Sequence, residues 1–273
     1  MPAIQSLKKQ LRGIRSTRKL TKAMKTVSTV KFSKLNERFD AYAVFADSCD
    51  EVLKICGSSQ PQLIAPADPS APAVAVVMAS NKGLCGNFNS AVLSFAADKI
   101  SKLADPMIVA CGIKASKFLK SRGYAVEKDV VFSDVPTFEE ASALIDELVE
   151  WRKSGRASDV YVIYPRYVNM MLQIPAISEL FSVNDEERDV SCLCFPDKRT
   201  VSENIIDTVQ RSSFYRLVLE TAIGAQAATL MTMRSAFDTA TELADELELK
   251  INRIRQSAVT ADVIETAVER KQH

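Results

Sequence analysis

Lys82-Gly83-Leu84-Cys85-Gly86 has the residue types of a reactive loop: a cation, a thiol and two glycines in five residues. It follows an apolar run, Ala73–Ala79, and precedes a helical pattern. Phosphate and dinucleotide loops occupy that position, with the anion on the N-terminus of the next helix, and Lys82 would then lie beside the anion. The pattern is neither G-x-G-x-x-G nor G-x-x-x-x-G-K-[ST]. Two glycines also make a tight turn that docks one surface on another, and this second reading is favoured. Cys85 as a nucleophile lacks a base, since the single histidine, His273, is terminal. No paired carboxylates or metal-ligand cluster stand out, and no cofactor is expected. Cys49, Cys56, Cys85, Cys111, Cys192 and Cys194 include no C-x-x-C pair. Buried reduced thiols are expected, not a zinc site or a disulfide framework.

The second chemical feature is charge. Lys8, Lys9, Arg12, Arg15, Arg18, Lys19, Lys22, Lys25, Lys31 and Lys34 precede the first acid, Glu37. A solvated helix face usually mixes signs. Unbalanced cations on one segment predict an acidic partner surface or a polyanion. Nucleic acid is the alternative, but here the cations interleave with apolar positions and do not precede them as in a basic zipper. Charge alone selects Lys19 and Lys22 as contacts.

A helix must carry these cations. Ala3 to Cys56 contains no proline and one glycine, Gly13. Ile4, Leu7, Leu11 and Ile14 open a heptad seam. Leu20, Met24 and Val27 are expected to continue it after a register slip. Leu35, Phe39, Tyr42, Ala46, Cys49, Leu53 and Cys56 complete it. The other end of the chain mirrors this. From Val201 onward there is no proline, and the only glycine is Gly224. Met233, Phe237, Ala240, Ala244, Leu247, Ile251, Ile254 and Ala258 step by four and three, and the register runs back through Leu230, Gln226, Ile223 and Leu219. A helix over residues 203–268 would be roughly 100 Å long at ~1.5 Å per residue and needs a partner helix. The two terminal helices are natural partners.

Between them, Gly57, Pro61, Pro66, Pro69 and Pro72 mark a linker. Residues 73–79, 107–110 and 159–164 read as buried strands, and 90–103, 113–122 and 138–151 as helices. That alternation predicts a small Rossmann-like α/β domain with a mainly parallel sheet. Residues 167–197 read as an irregular or hairpin return. The fold class is therefore α/β: a long antiparallel coiled coil of the N- and C-terminal helices (1–57 and 201–273) plus an α/β domain (73–197). The composition, 47% apolar and 25% charged with net charge +1, is that of a folded soluble protein. The longest uncharged runs, such as Thr221–Met233, are too short to span a bilayer, and residues 1–5 hold no apolar signal core. Membrane association is expected only through a partner.

Three stretches together resemble the γ subunit of the F-type ATP synthase. The first is Ile14–Ser28, with Lys19-Leu20-Thr21-Lys22-Ala23-Met24-Lys25 like the family's basic signature. The second is Lys82-Gly83-Leu84-Cys85-Gly86-Asn87-Phe88-Asn89, like "R-G-L-C-G-x-x-N". The third is Met231-Thr232-Met233 with Asn252–Thr260, which contains Arg255-Gln256. The resemblance spans the chain in order and implies a central rotor shaft, one copy per complex, coupling ion flow to ATP synthesis or hydrolysis. It implies α, β and ε subunits and a membrane c-ring as partners, no nucleic acid, and no active site of its own. It also implies a peripheral position on the cytoplasmic face of a bacterial inner membrane. By the same resemblance Met24 and Lys25 match the coupling segment, Arg255 and Gln256 the polar catch, and 82–86 a docking loop. The charged end, Glu265–His273, departs from the family's small apolar tail. Leu247→Ala is expected to cost roughly 2–5 kcal/mol in a denaturant titration if this position is a packed knob; a cost near zero would place it on the solvent side.

Overall fold

The computed structural model describes residues 2–56, 70–181 and 198–269. In chain order the elements are α1 (Pro2–Cys56), β1 (Val74–Met78), α2 (Phe88–Ile100), β2 (Met107–Cys111), α3 (Ile113–Ser121), β3 (Val126–Val130), α4 (Phe138–Lys153), β4 (Val160–Asn169), β5 (Leu172–Glu179) and α5 (Lys198–Glu269). The described residues form two compact units, one of Met1–Val27 with Leu230–His273, the other of Ser28–Thr229.

In the first unit the two helix segments run antiparallel. Arg15 pairs with Glu248 at 2.7 Å, and Lys25 lies over the Phe237 ring at 5.7 Å, so the partner number falls as the first rises. Met233, Ala240 and Ala244 are buried, while Phe237, Leu247, Ile251, Ile254 and Ala258 are half-buried. This is the four-three seam expected of the second helix. Leu11 is buried against it, with Leu7 and Ile14 half-buried on either side.

The second unit is a five-stranded sheet in the order β3-β2-β1-β4-β5, parallel except for β5. The continuous run Val74–Met78 is buried at every position because both faces of the central strand are covered. Val74, Val76 and Met78 join a core built with Leu35 of α1, Leu144, Ile145 and Leu148 of α4, and Phe214, Leu219 and Ile223 of α5. Ala75 and Val77 face the opposite core, made with Val92, Leu93 and Ala96 of α2 and Ala115 and Leu119 of α3. Thr137 and Glu140 close a capping box that fixes the start of α4.

One strand lies outside the sequence expectation. β3, Val-Glu-Lys-Asp-Val, alternates half-buried and exposed as a sheet edge does, so it carries no apolar run to detect. β5 falls within the return expected over 167–197 and forms a hairpin with β4. Cys192, Cys194 and Pro196 lie outside the described residues. Cys49, Cys85 and Cys111 are buried and in no disulfide, and burial pushes the Cys111 pKa up to about 12.

The hairpin carries an irregularity between Tyr167 and Asn169. There the nearly buried Glu220 carboxylate accepts the Tyr167 N–H at 3.3 Å, with Arg216 at 3.8 Å. Burial pushes the Glu220 pKa up, and the Tyr167 bond only partly counters it. Gly224 matters for a different reason. A Cβ there would stand 3.1 Å from Phe88 and 3.3 Å from Gln173, so α2 and β5 both reach the α5 backbone at this point.

Gly112 links β2 to α3 at φ +102°, and a Cβ there would stand 2.1 Å from the Ala79 carbonyl oxygen. Gly112→Ala combines left-handed backbone with a backbone collision, and is expected to lower unfolding free energy by roughly 3 kcal/mol or more. Urea titration measures this, and an unchanged midpoint would mean that this crossover is wrongly placed.

Candidate functional site

Two surfaces gather the residues singled out in the sequence, each within its own unit. The first is the outer side of α1 in the paired-helix unit. Counting fours and threes from Leu7 gives Leu11, Ile14, Arg18, Thr21, Lys25 and, in the other unit, Ser28, Phe32 and Leu35. These positions are buried or half-buried throughout. The expected slip is therefore absent, and Leu20 and Val27 are not seam residues. Leu20 is 61% and Val27 54% exposed, whereas Thr21 and Ser28 are 6% and 5% exposed. Uninterrupted helical counting decides the register, and polar residues are tolerated where they satisfy themselves. The Thr21 hydroxyl donates to its own helix, with the carbonyls of Thr17 and Arg18 each at 3.1 Å. Its burial leaves no orphaned donor.

That register gives α1 an unusual outer face. Gly13, Ser16, Leu20, Ala23 and Val27 all stand exposed, again stepping by three and four. The stripe is small and apolar. Arg12 and Lys19 run along one side of it, and Lys8, Arg15 and Lys22 form the next row toward the seam. Lys8, Arg12 and Arg15 also border a groove of about 300 Å³ floored by Leu11 and Ile251, with Glu248 and Asn252 opposite. The cations are therefore not one uniform face. Arg15 is neutralised by Glu248, and Lys25 is half-buried over Phe237 in the seam. Lys19 and Lys22 are exposed. Met24 is half-buried beside Lys25, while Arg255 and Gln256 are both exposed on α5. The structure thus separates Lys25 from Lys19 and Lys22. Reversing Lys25 would disturb the seam itself, so a charge reversal there is not neutral to the fold.

The second surface is the 82–86 loop in the sheet-containing unit. It follows β1 and is closed on itself. The Asn89 side chain accepts the Ser80 N–H at 3.0 Å and donates to the Ser80 hydroxyl at 2.8 Å and to Cys85 Sγ at 3.1 Å. The Ser80 hydroxyl donates to the Lys82 carbonyl at 2.6 Å. Asn89 thus ties the turn back to the end of β1, and Lys82 turns away to Asp134 at 2.7 Å. Cys85 is 4% exposed, so its thiol is an internal packing atom. Leu84, by contrast, is 60% exposed at φ 64°, and Gly86 follows at φ 58°. A leucine held in left-handed backbone with its side chain in solvent is a presented group, not a buried one. Among the described residues no group of three or more His, Cys, Asp or Glu could hold a metal ion. Sequence reasoning missed Asp134 and the outward stripe. The stripe's four-three count was the available signal, masked by the habit of assigning apolar residues to the inside.

Comparisons with known proteins point one way. A family model described as ATP synthase matches residues 3–267. The chain is 28% identical over 277 residues to the ATP synthase gamma chain of Desulforamulus reducens, covering 97% of each. It is 29% identical over 282 residues to that of Rubrobacter xylanophilus, covering 98% of this chain and 97% of the other. Among solved structures it resembles a chain of the Euglena gracilis mitochondrial ATP synthase rotor, with TM-score 0.67 and 15% identity, over 94% of this chain and 99% of that one. A chain of the Tetrahymena thermophila central stalk and c-ring matches with TM-score 0.60 and 19% identity, over 80% of this chain and 99% of that one.

The two candidate registers of α1 separate cleanly by mutation. Leu20→Ala should change unfolding free energy by less than about 0.5 kcal/mol, whereas Leu11→Ala should cost roughly 2–4 kcal/mol. Equal losses at both positions in guanidinium titrations would restore the slipped register.

Proposed function

The chain belongs to the ATP synthase family, among its γ chains, and from that premise we propose that it works as the central rotor shaft of an F-type enzyme. It is a subunit of a rotary ATP synthase, and in this proposal it does no bond chemistry. The observation that carries the proposal is the outer face of α1. A shaft must present to its surroundings a face that holds a register without locking. Gly13, Ser16, Leu20, Ala23 and Val27 give a low apolar ridge with few hydrogen-bonding groups. Lys19 and Lys22 beside it supply long-range attraction to acidic surfaces, which steers and orients more than it fixes.

In this proposal the paired helices turn inside the ring of α and β subunits. Each β conformation is stabilised by a different face of an asymmetric shaft, so rotation shifts the populations of the ring. Lys19, Lys22, Met24, Arg255 and Gln256 are the coupling contacts, with Lys25 acting through the seam. The sheet-bearing unit, with its 82–86 turn, takes the docking partners, namely the ε subunit and the c-ring. One copy serves each complex. The complex couples ion flow to ATP turnover and lies on the cytoplasmic face of a bacterial inner membrane. Among the described residues no helix is long and apolar enough to cross a membrane, so the chain would be held there by its partners.

A native pull-down of tagged chain from detergent-solubilised membranes tests the assembly. One copy recovered with larger subunits and strong ATPase activity is expected, and recovery alone or with nucleic acid would remove the rotor reading. The double variant Lys19→Glu with Lys22→Glu tests the face. Both residues are exposed, so the isolated chain should keep its stability to within about 0.5 kcal/mol. ATP synthesis in vesicles should fall by roughly half or more; unchanged synthesis would rule out the basic row as a coupling contact.

A further inference from the structure

The 82–86 turn does not hold its position alone. Its Leu84 backbone is in a conformation that side chains rarely adopt, and such strain persists only where neighbours enforce it. Ser80 and Asn89 hold the Lys82 carbonyl from within, and residues 132–137, between β3 and α4, hold the two residues that lead into Leu84 from outside. The Asn81 amide donates to the Phe132 carbonyl at 2.8 Å. Lys82 donates to Asp134 Oδ2 at 2.7 Å, and Lys31 of α1 donates to the same oxygen. Two residues on, the Pro136 carbonyl accepts Arg38 of α1 at 2.8 Å and the Tyr215 hydroxyl of α5 at 3.0 Å. Thr137 then begins the capping box of α4. One end of this short segment is therefore fixed to α1 and α5, and the other to the turn.

We propose that residues 132–137 are a strut that sets the position of the 82–86 docking turn against α1, with Asp134 as its positioning residue. The proposal rests on the docking role given to that turn above. The electrostatics make Asp134 the sensitive point. A single carboxylate oxygen brings two ammonium groups together. Removing its charge does more than delete two bonds, because it leaves Lys31 and Lys82 facing each other as like charges. The turn should then move away from the helix. Lys31 first and Lys82 second hold the Asp134 carboxyl below the usual carboxylate range, which agrees with the paired geometry. Asp134 is only 30% exposed, as is Lys31, so solvent screens the contact incompletely.

The buried Cys85 thiol reports on the turn. In the full-length chain, alkylation of Cys85 by a maleimide, followed by peptide mass spectrometry, is expected to quicken about tenfold in Asp134→Asn. Asp134→Glu should stay near the parent, and the buried Cys49 and Cys111 should remain protected. Unchanged Cys85 labelling in Asp134→Asn would overturn the strut. If Cys111 became reactive too, the variant would have unfolded; Lys82→Met, which removes one bond and no buried charge, then decides by the same Cys85 readout. In the reconstituted complex Asp134→Asn should lower ATP synthesis while ATP hydrolysis persists, with recovery in Asp134→Glu. Faster Cys85 labelling with unaltered synthesis would keep the anchoring and overturn the docking role of the turn.

Discussion

A heptad stripe on a helix can be covered only by another helix that keeps the same count. The stripe on α5 is unbroken from Leu230 to Ala258, and α1 answers it in antiparallel. The count is strict enough to override hydrophobicity. It keeps Thr21 and Ser28 inside and turns Leu20 and Val27 out, although apolar matching alone favours the reverse. The cost is small because Ala240 and Ala244 on the facing helix are fully or nearly buried and make few demands on the opposite side chain, while the Thr21 hydroxyl is satisfied by its own helix. The gain is a second ordered face on α1. One helix then carries two heptad rows, one spent on its partner and one left for others.

The same helices serve a different purpose in the other unit. There Leu35, Phe214, Leu219 and Ile223 lie against one face of the sheet, and α2 and α3 cover the other. α1 and α5 therefore complete a three-layer α/β unit as ordinary cover helices. Gly224 is the visible compromise, since it gives up helix propensity to let Phe88 and Gln173 close on the backbone. The polar network follows the same economy. Glu220 is buried, but it satisfies an N–H at the irregular end of β4. Pro136 offers its carbonyl to two helices at once. Both contacts tie elements that are distant in sequence.

For a member of this family the division of labour is informative. The turn that most looks like a reactive centre is tied to the end of β1 by Asn89, and its lysine is paired with Asp134. What remains exposed is contact chemistry, an apolar ridge edged with lysines and a leucine presented on a strained turn. Contacts of that kind change relative energies of neighbouring conformations, which is what a rotor subunit requires.

The sequence by itself determined the broad design. The four-three spacing of Met233 to Ala258, the proline-free ends and the apolar run Val74–Met78 each specify an element through local periodicity, and local periodicity is legible in one dimension. The family resemblance added the expected roles of Met24, Lys25, Arg255 and Gln256. Only the tertiary structure decided which residues of α1 face inward, because a seam is defined by its partner, and a threonine that bonds its own backbone is as good an occupant as a leucine. It alone placed β3 at the sheet edge, where two valines among three charged residues give no signal. It alone brought Asp134 between Lys31 and Lys82, residues 103 and 52 positions away. Electrostatic pairing at that separation depends on where the chain returns, and no pattern in the sequence records it.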